Sequence, residues 1–170
     1  MTHKELKDYL CKEFGNEEIV VLEPEYYDGG IVGTDEGGCL IYDYYKLAEA
    51  ITGNDGMTHE DAIEWIDYNT IRAIPYMGIY HPYIMFSYWD IDTDSIIGLD
   101  ESGRIAYDYD DHEGEEIIPI PEWLKPCIVG KTHDEMLVFD KKMLEERVAV
   151  PHDDGDMVIG IVMTPLNTKE

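Results

Sequence analysis

Gly30-Ile31-Val32-Gly33-Thr34-Asp35-Glu36-Gly37-Gly38-Cys39-Leu40-Ile41-Tyr42-Asp43 is the stretch on which the fold turns, because the chain writes it three times. The second copy is Ser95-Ile96-Ile97-Gly98-Leu99-Asp100-Glu101-Ser102-Gly103-Arg104-Ile105-Ala106-Tyr107-Asp108. The third is Cys127-Ile128-Val129-Gly130-Lys131-Thr132-His133-Asp134-Glu135-Met136-Leu137-Val138-Phe139-Asp140. The copies align without a gap. Each has a β-branched pair, a Gly, turn-forming residues, an apolar run, an aromatic and an Asp. Two β-rich runs joined by a short loop bearing Asp and Gly predict a β-hairpin. Gly33, Gly98 and Gly130 close the first run of each copy, which predicts a bulge or a close backbone approach there. Helical phrases follow the first and third copies, at residues 45–51 and 142–147. The resulting expectation is an α+β fold, an antiparallel sheet built from three repeated β-hairpins with several short helices packed on it.

At 170 residues the chain suits one compact domain or two small lobes. The divisions expected are residues 1–88, an N-terminal helix plus the first hairpin-helix unit, and residues 89–170, the second and third hairpin units. The outlying quantity is charge: 38 acidic against 12 basic residues, a net charge of −26. Direct binding to nucleic acid or to an anionic membrane needs Lys and Arg, so this balance speaks against both. It favours a cationic partner, a metal ion or a basic protein surface, with solubility as the plain alternative. Cys11, Cys39 and Cys127 are odd in number and lack CxxC spacing, which fits a reducing compartment better than a disulfide framework or a zinc site. The first residues carry no apolar signal region and no stretch reaches the length of a membrane span. A cytoplasmic, soluble protein is expected.

Thr2 is placed to cap a helix whose face is Leu6, Tyr9, Leu10 and Phe14, stopped by Gly15. Residues 19–22 and 82–89 read as strands, and Thr58 opens a helix that ends before Pro75. The second hairpin leads into an acidic loop, residues 109–116, where the other copies have a helix. Residues 117–120 and 157–163 read as further strands.

Residues 61–78, Asp61-Ala62-Ile63-Glu64-Trp65-Ile66-Asp67-Tyr68-Asn69-Thr70-Ile71-Arg72-Ala73-Ile74-Pro75-Tyr76-Met77-Gly78, come after the first hairpin. This pairing resembles small acidic proteins of bacterial mobile elements and phages, which join an "IIG…DG…VYDY" hairpin to a helix ending "YNTIRAxPYMG". The likeness covers roughly residues 19–86. Such elements carry inhibitors of host defence nucleases, so the resemblance implies an anti-CRISPR-like setting rather than a defined mechanism.

Between residues 47 and 124 lie 18 acidic residues and two basic ones, Arg72 and Arg104. A dense, extended, rigid array of carboxylates can imitate a nucleic-acid backbone, and alternation along strands would turn Asp and Glu outward while Ile, Val and Leu go inward. An ordinary solvated face is the competing reading. The candidate partner-binding residues are Asp90, Asp92, Asp94, Asp100, Glu101, Asp108, Tyr109, Asp110, Asp111, Glu113, Glu115 and Glu116. Residues 90–101 also match an EF-hand loop at several ligand positions. Ser95 stands where the turn needs Gly, however, and the flanks read as strands, so no metal site is expected. The 13 tyrosines, several interleaved with Asp, are read as half-buried strand residues or as interface material. Arg72 is read as a fork between acids. His59, His81, His112, His133 and His152 are dispersed, and no nucleophile or phosphate-loop motif is present.

These readings converge on an expectation. The chain is a non-enzymatic inhibitor without cofactor, acting on a basic nucleic-acid-binding protein of host defence, a CRISPR effector or a restriction enzyme, by nucleic-acid mimicry. The alternative is a small regulatory or Ca²⁺-binding acidic protein unrelated to defence.

Overall fold

The computed structural model describes residues 1–87, 93–148 and 160–166. They fall into two compact units, Met1–Met85 with the chain end from Pro165, and Phe86–Thr164.

All three copies of the repeat are hairpins: β1 (Ile31–Thr34) with β2 (Leu40–Asp43), β4 (Ile96–Leu99) with β5 (Ile105–Tyr107), and β6 (Ile128–Thr132) with β7 (Leu137–Asp140). Each is antiparallel, and each slips register by one residue at its glycine, between Ile31 and Gly33, Ile96 and Gly98, and Ile128 and Gly130. The turns share a device. Asp35 Oδ1 accepts the amides of Gly37 and Cys39, both at 2.9 Å, and Asp100 Oδ1 accepts those of Ser102 and Arg104 at 2.9 and 3.0 Å. In the third copy Thr132 Oγ1 takes the amide of Met136 at 3.1 Å. A short polar side chain that satisfies turn amides is the reason for Asp or Thr at this position.

The hairpins do not assemble into one antiparallel sheet, which corrects the expected fold class. β3 (Tyr83–Ser87) pairs with β2 in parallel, with Tyr42 opposite Ile84. β8 (Ile161–Pro165) pairs with β7 in parallel, with Phe139 opposite Val162. The strand order β1-β2-β3-β6-β7-β8 is a closed mixed barrel, and β4-β5 is a separate two-stranded sheet. The helices cause this. The Asp that ends the repeat is a helix N-cap: Asp43 Oδ1 accepts from the amide of Lys46 at the start of α2 (Tyr44–Asp55), and Asp140 Oδ1 from Met143 at the start of α4 (Lys141–Val148). A helix leaving the end of a strand carries the chain back along it, so the next strand enters in the same direction.

In the first unit, α1 (His3–Phe14) has Thr2 in a capping box with Glu5 and Gly15 as a left-handed C-cap. α3 (His59–Trp65) continues into a π-turn, Ile66–Thr70, and a 3₁₀ segment, Ile71–Tyr76, that contains Pro75. The stretch expected as a strand at 19–22 forms none; the Val20 amide donates to the Tyr80 carbonyl at 3.2 Å. Leu6, Leu10, Leu40, Ile41, Tyr42, Leu47, Ile51, Ile66, Ile74 and Ile84 are almost fully buried. Tyr42 therefore belongs to the core, its hydroxyl accepting the Leu22 amide at 2.9 Å.

In the second unit the core joins Ile96, Leu99, Ile105 and Tyr107 to Leu124, Cys127, Ile128, Leu137 and Phe139, with Trp123 and Leu144 packed against it. Residues 117–120, expected as a strand, contribute one bridge, Ile118 to Leu99. The expected strand from 157 begins among residues outside the described set and is seen from Ile161. No described helix is long and apolar enough to cross a membrane. Cys11, Cys39 and Cys127 take part in no disulfide.

Candidate functional site

Of the twelve candidate residues, Asp90 and Asp92 lie outside the described residues. Asp94, Glu101, Asp108, Tyr109, Asp110, Asp111, Glu113, Glu115 and Glu116 are exposed. Asp100 is half-buried and engaged by its turn. Hydrogen bonds, first from the Ser102 side chain at 2.6 Å, hold its carboxyl below the usual carboxylate range.

The exposed acids do not alternate along strands as expected. Most lie on the loop 108–116, which begins where β5 ends. No helix forms there, and the end of the repeat is held differently: the Asp108 amide donates to the Ser95 carbonyl at 2.8 Å. His112 organises the rest of the loop. Its Nε2 lies 2.5 Å from the Tyr107 carbonyl and its Nδ1 3.3 Å from Glu115 Oε2. The bond to the Tyr107 carbonyl, with the neighbouring carboxylates, raises the His112 pKa. The Glu113 amide bonds Asp111 Oδ1 at 3.0 Å and the Glu115 amide the His112 carbonyl at 2.9 Å, so local hydrogen bonds brace the middle of the loop. Tyr109, 70 % exposed, stacks on Tyr107 with ring centres 5.0 Å apart and planes 12° apart. The result is an ordered tip of like charges with one aromatic platform. Among the dispersed histidines, His112 alone carried a signal a sequence could have offered, a His midway in an otherwise acidic run.

Three features escaped the sequence reading. The first is His3, whose Nδ1 is 2.8 Å from Asp28 Oδ2 and whose Nε2 is 2.8 Å from Glu23 Oε1, with Lys7 Nζ 2.7 Å from the same Glu23 oxygen. The second is a trio in which Lys131 Nζ lies 3.0 Å from the Tyr107 hydroxyl and 3.1 Å from Glu135 Oε1. The third is a cleft of about 350 Å³ in the first unit, lined in part by Leu22, Pro24, Tyr26, Tyr27, Trp65 and Met77. Among the described residues Arg72 forks between no acids. Its guanidinium carbon sits 4.3 Å from the centre of the Tyr68 ring, a cation–π contact.

No group of three or more His, Cys, Asp or Glu is arranged to hold a metal ion among the described residues. Thr93–Ser95 is a 3₁₀ turn that passes directly into β4, so the second half of the EF-hand-like match is strand and turn. Comparison with family models, with curated proteins and with solved structures finds no match to this chain.

Proposed function

We propose that the chain is a non-enzymatic acidic inhibitor from a mobile element, acting in the bacterial cytoplasm on a host nucleic-acid-binding defence complex. A CRISPR effector is the first candidate target and a restriction enzyme the second. The observation that carries the reading is the loop 108–116, where Asp108, Asp110, Asp111, Glu113, Glu115 and Glu116 are all exposed on a hydrogen-bonded frame. A held array of carboxylates meets a basic channel without first being ordered, so less entropy is lost on binding. Net charge of −26 steers association with a basic surface, and Tyr109 supplies contact area at low entropy cost.

The test begins with a pull-down from a bacterial lysate, read by mass spectrometry. Recovery of a nuclease with a basic groove supports the proposal. The partner is then titrated with wild type and with an Asp110→Lys/Asp111→Lys/Glu113→Lys variant at two salt concentrations. Exposed charges are screened over about 8 Å at physiological ionic strength. Wild-type binding therefore weakens as salt rises, and the variant loses on-rate first. Equal low-salt affinity of the two proteins would end the mimicry reading for this loop.

A further inference from the structure

We infer that the cleft of the first unit is a receptor for a guanidinium group, that of an arginine side chain on a protein partner. The cleft is made by the irregular end of α3. In an α-helix residues four apart share a face, while the wider π-turn brings residues five apart into line. Trp65, Asn69 and Thr70 consequently line one cleft, opposite Pro24, Tyr26 and Tyr27.

Its chemistry is one-sided. Trp65 is 43 % exposed and its indole Nε1–H donates to the Tyr27 hydroxyl at 2.9 Å, which fixes the ring. Tyr26 donates to Asp55 Oδ2 at 2.6 Å. That bond, with some burial, pushes the Tyr26 pKa up to about 12, so the phenol stays protonated and keeps the carboxylate in place. Thr70 is only 6 % exposed and lines the cleft, so its hydroxyl adds a polar group to the lining. The other carboxylate of the lining, Glu23, already holds Lys7 and His3. No Lys or Arg lines the cleft.

Aromatic faces, one oriented carboxylate and a threonine hydroxyl select a flat cation with several N–H donors. Guanidinium has that shape: it stacks on aromatic rings and forks onto carboxylates, where an ammonium presents only a compact, strongly hydrated charge. The same segment already stacks a guanidinium on a ring, Arg72 on Tyr68. That the arginine belongs to a basic protein partner rests on the function proposed above. The selectivity of the cleft does not.

The test uses the full chain and N-acetyl-arginine amide, followed by NMR at the Trp65 indole N–H, assigned with Trp65→Phe. The neutral isostere N-acetyl-citrulline amide is the control. Saturable shifts at Trp65 and at the Thr70 amide are expected with arginine. Binding of citrulline, and of arginine to Asp55→Asn, should be weaker by roughly tenfold, the effect of one charge-assisted hydrogen bond. Asp55 is exposed at the end of α2, so this variant keeps its fold. Thr70→Val should lose affinity several-fold. Equal binding of arginine and citrulline, no saturable shift, or an Asp55→Asn variant that binds as wild type would overturn the inference. The Asp110→Lys/Asp111→Lys/Glu113→Lys variant separates the two proposals. Its arginine binding should be unchanged, so failure of the loop as a partner surface leaves the cleft standing, and failure of the cleft leaves the loop.

Discussion

The Tyr107 hydroxyl donates to Glu135 Oε2 at 2.8 Å, and Glu135 stands with φ of 65° at the turn position that Gly38 and Gly103 hold in the other copies. A side chain in the left-handed region costs on the order of 1 kcal/mol, which glycine avoids. The third copy accepts that cost and gains a bond between hairpins, strengthened by Lys131. The Ile105 amide also donates to the Glu135 carbonyl at 2.8 Å.

Two substitutions should therefore behave unequally. Tyr107→Phe is expected to destabilise by about 1–2 kcal/mol, because the Glu135 carboxylate and Lys131 lose their shared partner. Glu135→Gly should be nearly neutral in wild type, the relaxed backbone offsetting the lost hydrogen bond. In the Tyr107→Phe background it should turn stabilising by about 1 kcal/mol. Urea unfolding of the four proteins measures the cycle. A Glu135→Gly cost of the same size in both backgrounds would show that the two residues are not coupled.

Gly98 and Gly53 should give opposite signs when replaced by Ala. A Cβ at Gly98 would lie 2.2 Å from the Ile118 carbonyl oxygen, where Leu99 and Ile118 exchange two backbone hydrogen bonds. Backbone cannot swing aside as a flexible side chain can, so Gly98→Ala should cost about 3 kcal/mol or more. Gly53 lies inside α2 with nothing within 4 Å, and Gly53→Ala should add about 0.5–1 kcal/mol. Thermal unfolding midpoints decide both.

His3 makes stability depend on pH. Burial alone would lower its pKa, but its hydrogen bonds and charges with Glu23 and Asp28 outweigh burial and leave it raised. A raised folded-state pKa means a contribution fully present below the unfolded value near 6.5 and lost as pH climbs through the folded value. From pH 6 to pH 8 the wild type should lose more stability than His3→Gln. Parallel curves for the two proteins would rule the linkage out.

His112→Ala should loosen the acidic loop without unfolding the unit. The amides of Asp110 and Glu115, bonded to the Tyr107 and His112 carbonyls, should lose hydrogen-exchange protection several-fold. In wild type the Glu115 amide should be better protected at pH 6 than at pH 8, after correction for intrinsic rates. Only the protonated ring can donate to the Tyr107 carbonyl and to Glu115 together. Unchanged protection in the variant would mean that backbone bonds alone hold the loop.

The sequence by itself determined the local units. Gapless repetition of a β-rich run, a Gly, a turn and a second run specifies a bulged hairpin, because register and turn chemistry act over neighbouring residues. The Thr2 cap and the Gly15 stop were equally legible, as was the missing helix after Asp108. The surroundings of the hairpins were decided only in three dimensions. The parallel strands β3 and β8 come after their hairpins at the end of connections of very different length, so no fixed spacing marks them as equivalents. Their pairing rests on where the capped helices return the chain. Whether carboxylates lie on strands or on one loop depends on which residues the closed barrel and the small sheet leave over. His3 with Asp28, Tyr107 with Glu135 and Tyr26 with Asp55 are each more than twenty residues apart. Such pairs come from packing, and packing is set by the shape of the whole core rather than by any local pattern. The cleft beside Trp65 shows the same division. Its residues stand in a segment whose wording is distinctive, yet only the π-turn brings Trp65 and Thr70 to one side.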